Sequence, residues 1–154
     1  MVSAIGRGLI RDSWGNWVVG LARKLGSANS FTTEVWAFHD GLLLCLQRKL
    51  PAVIVEIDTK ALVDAFNNPS YKNSVISTIF DDCKHLILQI PQVCIKHVYR
   101  EANKCVDWLA NSGHSQSVDF ILHSVPPVSL IPSIEADCHG VWCNRLYPEL
   151  SVSC

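Results

Sequence analysis

No stretch of this 154-residue chain approaches eighteen uninterrupted apolar residues, which argues against a helix that crosses a membrane. The opening residues, Met1-Val2-Ser3-Ala4-Ile5-Gly6-Arg7, lack the apolar core of a secretory leader. The chain is therefore expected to be intracellular, in nucleus or cytoplasm, with no membrane partner. An excess of positive charge is missing as well. Thirteen Lys and Arg stand against 14 Asp and Glu, a formal charge of -1, so any binding of a polyanion has to rest on local patches. Internal repeats are absent. The seven cysteines are odd in number, and Cys45, Cys83, Cys94 and Cys105 fall inside apolar-periodic segments, where a reduced thiol acts as a small hydrophobe. A disulfide framework is not expected. Cys138-His139 with Cys143 lacks the spacing of a four-ligand zinc signature and reads as ordinary tail thiols.

What is present is a chain with 49% hydrophobic residues, enough for one domain with a real core. Residues 9–12 and 17–26 are two β-prone runs around Ser13-Trp14-Gly15-Asn16, the pattern of a hairpin. Apolar residues at 35, 38, 42, 45 and 46 keep helical spacing in a segment that Ser30 or Thr32 can cap and that Pro51 stops. The run 53–58 contains one interior polar residue, Glu56, and reads as a buried, parallel strand. A short helix capped by Thr59, a long amphipathic helix over 74–89, a strand over 93–99 and a helix over 101–112 closed by Gly113 follow. Residues 114–154, with Pro126-Pro127 and Pro132, read as an irregular tail. The order ββ-α-β-α-α-β-α predicts an α/β sandwich on a mixed sheet.

Three acids sit at comparable junctions. Glu34 lies near the start of the first helix, Asp58 ends the apolar strand, and Asp107 lies in the last helix. Asp58 is placed where α/β sheets put their ligands, outside a strand's carboxyl end. Converging carboxylates bind hard divalent cations, which take oxygen ligands and few of them from the protein when phosphates and waters supply the rest. Asn103 is four residues before Asp107 and shares its helical face. Lys96, Arg100 and Lys104 form a basic group, and His97 could assist proton transfer or product release, although its place in regular strand alternation favours a histidine satisfied in the sheet. Arg23-Lys24 and Arg48-Lys49 read as ordinary solvated pairs. Trp14 and Trp17 flank the hairpin turn, where they could stack on bases or pack against the tail.

Four blocks in order carry a family resemblance. Gly8-Leu9-Ile10-Arg11-Asp12 with Gly15-Asn16-Trp17, then Thr33-Glu34-Val35-Trp36-Ala37, then Val55-Glu56-Ile57-Asp58-Thr59, then His97-Val98-Tyr99-Arg100-Glu101-Ala102-Asn103 with Asp107-Trp108-Leu109-Ala110, resemble the ribonuclease H-like domain of plant proteins related to non-LTR retrotransposon reverse transcriptases. The resemblance covers roughly residues 6 to 113. It implies an α/β fold, a ribonuclease H-like mixed sheet flanked by helices, in residues 1–113. It also implies a two-ion Mg²⁺ or Mn²⁺ site on Glu34, Asp58 and Asp107, and a nucleic-acid partner, RNA–DNA hybrid or RNA, contacted by Asn103, Lys96, Arg100 and Lys104. The implied activity is metal-dependent hydrolysis of RNA in the hybrid, by an endonuclease. The oligomeric state is left open.

One departure qualifies that expectation. In the family a first strand with an Asp precedes the Gly-Leu-Ile-Arg-Asp strand and lies in the middle of the sheet, whereas Met1-Val2-Ser3-Ala4-Ile5 has no acid. The first strand is expected to be missing, with strand edges left open and activity impaired. Asp12 is no substitute, because it belongs to the far end of the hairpin strand. The alternative is a nucleic-acid-binding or structural domain without catalysis.

Overall fold

The structure, a computed structural model, describes residues 4–12, 14, 16–97, 119–126, 128, 131 and 150–153. The expected helix over 101–112, Asn103, Asp107, Arg100, Lys104, Cys105 and the Cys138-His139 and Cys143 thiols lie outside the described residues. Strands β1 (Ala4–Arg11) and β2 (Trp17–Gly26) form the antiparallel hairpin. Its turn is built by Asp12, whose Oδ1 accepts from the Trp14 and Asn16 amides at 2.9 and 2.8 Å and whose Oδ2 accepts from Asn16 Nδ2 at 3.1 Å. This carboxylate is committed to the turn, as short Asp side chains in turns often are.

Helix α1 (Ser30–Gln47) follows. Its cap is Asn29, in extended backbone, whose Oδ1 accepts from the Thr32 amide at 2.8 Å. Neither Ser30 nor Thr32 fills the expected role, because the polar cluster offers a better acceptor one residue earlier. The helix ends at Gln47, short of the proline, where Lys49 turns the backbone left-handed at φ 55°. Strand β3 (Ala52–Ile57) then runs parallel to β4 (Gln92–His97). Between them lie α2 (Lys60–Asn67) and α3 (Ser77–Gln89). Thr59 holds the N-cap position of α2 without a side-chain cap bond. Residues 74–76 form a turn, not the first turn of α3, with Asn73 Oδ1 accepting from the Val75 amide at 3.0 Å.

The expectation of an irregular tail is corrected by two further strands. Strand β5 (Phe120–His123) covers the outer edge of β2, and Trp17 Nε1 donates to the His123 carbonyl at 2.8 Å. Strand β6 (Leu150–Ser153) enters the middle of the sheet, antiparallel to β1 and parallel to β3. The sheet order is β4-β3-β6-β1-β2-β5. The strand edges expected to be open beside β1 and β3 therefore have a partner. Two runs of four residues are too short to stand out from periodicity; a ladder on either side stabilises β6, and one ladder on β2 stabilises β5, where local propensity would not.

The helices cover one face of the sheet. Ile10, Val19, Leu21, Val53, Val55 and Ile57 from the strands meet Val35, Phe38, Leu42, Leu62, Phe80 and Cys83 from the helices in one core. Phe38 packs tilted against Phe66 at 4.5 Å and Phe66 stacks on Phe80 at 4.4 Å between centroids, which ties all three helices together. Burial raises the Cys45 thiol to about 12 and the Cys83 thiol further still, so both sit in the core as neutral apolar groups. Cys94, in contrast, is exposed. Replacing the fully buried Phe38 by Ala is expected to lower stability by about 3–5 kcal/mol in urea denaturation. Replacing Trp14, 78% exposed, should change it by no more than about 0.5 kcal/mol.

Candidate functional site

The strand directions decide which residues share an edge. Strand β2 ends at Gly26 opposite Ala4, at the start of β1. Because β6 is antiparallel to β1, and β3 and β4 are parallel to it and to each other, β3 and β4 end at that same edge. Helix α1 begins there after residues 27–29. The topology thus brings the first turns of α1 with Glu34, the residue after β3, Asp58, and the end of β4, His97, to one edge of the sheet. Asp12 is at the other edge.

Glu34 and Asp58 are both half-buried. His97 is exposed, and its Nε2 lies 3.1 Å from the Asp58 carbonyl oxygen, a contact that ties the end of β4 to the segment leaving β3. Lys96, expected to meet phosphate, has its Nζ 3.4 Å from Glu56 Oε1. A phosphate at this lysine has to compete with a carboxylate already in place. Glu56 is 3% exposed and also pairs with Arg11, 5% exposed, at 3.4 Å. The row Arg11, Glu56, Lys96 runs across the sheet from β1 to β4 on the face opposite α1.

A second charged group escaped the sequence reading. Arg23, taken as part of a solvated pair, donates from Nε and Nη2 to Asp40 at 2.6 and 3.0 Å. Its guanidinium lies over the Trp36 ring at 5.3 Å and the Phe120 ring at 4.8 Å. Asp40 is 2% exposed and also lies 3.4 Å from His39 Nδ1. Burial by itself raises the Asp40 pKa, but the hydrogen bonds and charges of His39 and Arg23 outweigh it and hold the carboxyl below its ordinary value. The clamp fixes the helix that carries Glu34 against β2 and β5. Only the approach of 23 to 40, residues on different elements, reveals it; no local spacing does.

Hard oxygen donors at a strand end suit Mg²⁺ or Mn²⁺, and Glu34 and Asp58 supply two. Among the described residues no group of three or more His, Cys, Asp and Glu comes together. The strand in the middle of the sheet reads Leu-Ser-Val-Ser and contains no acid. Glu34 and Asp58 fit one hard cation by donor chemistry, and Asp107, the third acid of the expected set, lies outside the described residues.

Comparison with known proteins agrees with this architecture. The halophilic archaeon Halobacterium salinarum has an RNase H1 whose crystal structure superposes with a TM-score of 0.56 at 14% identity, over 69% of this chain and 94% of that one. The N-terminal RNase H domain of a Mycobacterium tuberculosis protein, solved as a maltose-binding-protein fusion, gives 0.54 at 16% identity, over 70% and 91%. The molecule has a ribonuclease H-type fold. The family described as reverse transcriptase-like matches residues 2–113, and the chain belongs to that family as an RNase H-like domain. A protein of Arabidopsis thaliana that carries a ribonuclease H name is 29% identical over 133 residues, 86% of this chain. The chain spans 22% of that relative's length. Among the described residues no helix is long and apolar enough to cross a membrane.

The Asp40 clamp sets a pH dependence. Its folded-state pKa lies below the unfolded value of 3.8, so its stabilisation is complete above that value and is lost as pH falls through the lower folded pKa. Denaturant titrations across about pH 2 to 6 should show a steep acid limb that Asp40→Asn flattens. At neutral pH the substitution should cost about 1.5–3 kcal/mol, the range for hydrogen bonds to a charged group. An unchanged acid limb would remove Asp40 from this role.

Proposed function

We propose that this domain binds nucleic acid, RNA–DNA hybrid before free RNA, along the edge that holds Glu34, Asp58 and His97, and that it hydrolyses the RNA strand poorly or not at all. The observation that carries this reading is the identity of the central strand: β6 holds the middle of the sheet with Leu-Ser-Val-Ser, beside Val53–Glu56 of β3, and brings no carboxylate there. Glu34 and Asp58, with Asp107, are the proposed ligands of Mg²⁺ or Mn²⁺. Such a cation, when bound, would offset phosphate charge and polarise a phosphoryl oxygen. The protein's own part is to hold the backbone of the hybrid, with Arg100 and Lys104 as phosphate contacts, Lys96 as a third where it leaves Glu56, and Asn103 as a neutral hydrogen-bonding neighbour. His97 is proposed to steady the Asp58 segment and to stand near departing product.

Backbone contacts release counterions and read no bases. Affinity for hybrid duplex should therefore be independent of sequence and fall by about 10- to 40-fold between 50 and 200 mM salt, the loss for two or three displaced counterions. Turnover in Mg²⁺ or Mn²⁺ should not exceed that of Asp58→Asn. Fluorescence anisotropy gives the first quantity and a labelled-hybrid cleavage assay the second. Robust metal-dependent cleavage that Asp58→Asn abolishes would contradict the non-catalytic part of the reading, and salt-insensitive affinity the binding part.

A further inference from the structure

A cavity of about 330 Å³ lies between the start of α1, with Asn29, Phe31 and Thr32, and the segment that leads into α3, with Tyr71, Asn73 and Val75. Its size falls at the lower end of the about 300–1,000 Å³ usual for small-ligand sites. Helix α1 runs into β3 and α3 into β4 through short connections, so both helices start toward the edge where those strands finish. The cavity is therefore at the edge of Glu34 and Asp58. Phe31 precedes Glu34 by three residues in α1, which makes the two neighbours on the helix surface, with Cβ atoms about 5–6 Å apart.

The walls define what can enter. Tyr71 leans on Phe80 at 5.2 Å between centroids and 49°, and Phe31 packs on the core, yet both rings stay half-buried. Val75, 83% exposed, adds apolar surface at the solvent side. The polar groups are amides and a phenol. Asn29 Oδ1 is taken by the Thr32 amide, and Asn73 gives one Nδ2 hydrogen to Tyr71 Oη at 3.3 Å while its Oδ1 accepts from the Val75 amide at 3.0 Å. Among the described residues these bonds leave over both Nδ2 hydrogens of Asn29, the second one of Asn73 and the hydroxyl hydrogen of Tyr71. No charged side chain lines the cavity. A phosphate would leave water there without a cation to meet it, at high cost. A neutral planar ring with apolar faces and acceptors along its edge matches both the aromatic walls and the spare donors.

We propose that this cavity holds one unpaired nucleobase of a strand that continues past the hybrid, so that the domain recognises a junction between hybrid duplex and single strand. A base inside the duplex is covered on both faces by its stacked neighbours, whereas an unpaired one can lie against an aromatic side chain and present its edge to hydrogen-bond donors. The inference rests on the nucleic-acid reading and names the form of nucleic acid that the edge prefers.

The test uses the full chain, a blunt RNA–DNA hybrid, and the same hybrid with one unpaired pyrrolocytosine nucleotide added at each strand end in turn. Competition against a labelled blunt hybrid gives the affinities. One of the extended hybrids should bind more tightly than the blunt one by about fivefold or more, the lower bound for a stacked base, and its pyrrolocytosine emission should be quenched. Phe31→Leu and Tyr71→Leu keep apolar volume and remove an aromatic face. Asn29→Ser keeps a cap acceptor and removes the amide donors. Each should reduce the gain and the quenching, with affinity for the blunt hybrid unchanged. Blunt hybrid bound with no gain from any extension, or a gain that survives in every substituted chain, would overturn this proposal alone. Binding of neither kind of hybrid would overturn the nucleic-acid reading and this proposal with it.

Discussion

The sheet is held in one piece by the seating of β6. Among the described residues it is the strand through which β4-β3 joins β1-β2-β5; without it the ladder divides in two. Helix α1 lies against β1 and β2, and the shared core packs side chains from both halves. The backbone hydrogen bonds of β1 and β3, however, are satisfied on the inner side by β6. The Arg11–Glu56 pair, at 3.4 Å, reaches across β6 from one flanking strand to the other. Parallel and antiparallel ladders meet at β6, so its direction also determines that α1, Asp58 and His97 share an edge.

A strand contributes backbone and side chains separately, and here the two contributions diverge. Any extended segment of suitable apolar alternation can complete the ladder. Only one with a carboxylate at the right position can also serve a two-ion site. Leu-Ser-Val-Ser completes the sheet and adds no acid. The chain thus keeps a ribonuclease H-type fold with a strand that brings no carboxylate to the middle of the sheet. Asp12 lies at the opposite edge, its oxygens taken by the hairpin turn.

The sequence made the long elements legible. The continuous apolar run became β3 and the 3.6-residue periodicities became α1 and α3, with Asp58 just beyond the strand as expected. Family membership was legible because four spaced blocks constrain one another. The two tail strands were not, because Phe120–His123 and Leu150–Ser153 are four-residue runs stabilised by ladders formed far away in sequence. The same reason hid Arg23. A basic pair on a strand looks solvated until a helix seventeen residues on presents a buried carboxylate to it. Lys96 and Glu56 likewise find each other only through the parallel register of β3 and β4. Glu34 and Asp58 were named from junction position, and what placed them at a common edge was strand direction.

Amide hydrogen exchange of Ser151, Val152 and Ser153, measured on the full chain by NMR, tests the seating of β6 most directly. The account predicts protection comparable to that of Ile10 and Val55, the in-register neighbours in the core strands, and loss of that protection together with theirs in one cooperative opening. Exchange of the three amides at the rate of unstructured chain, with Ile10 and Val55 still protected, would show that the middle of the sheet is not held by this strand and would contradict the account.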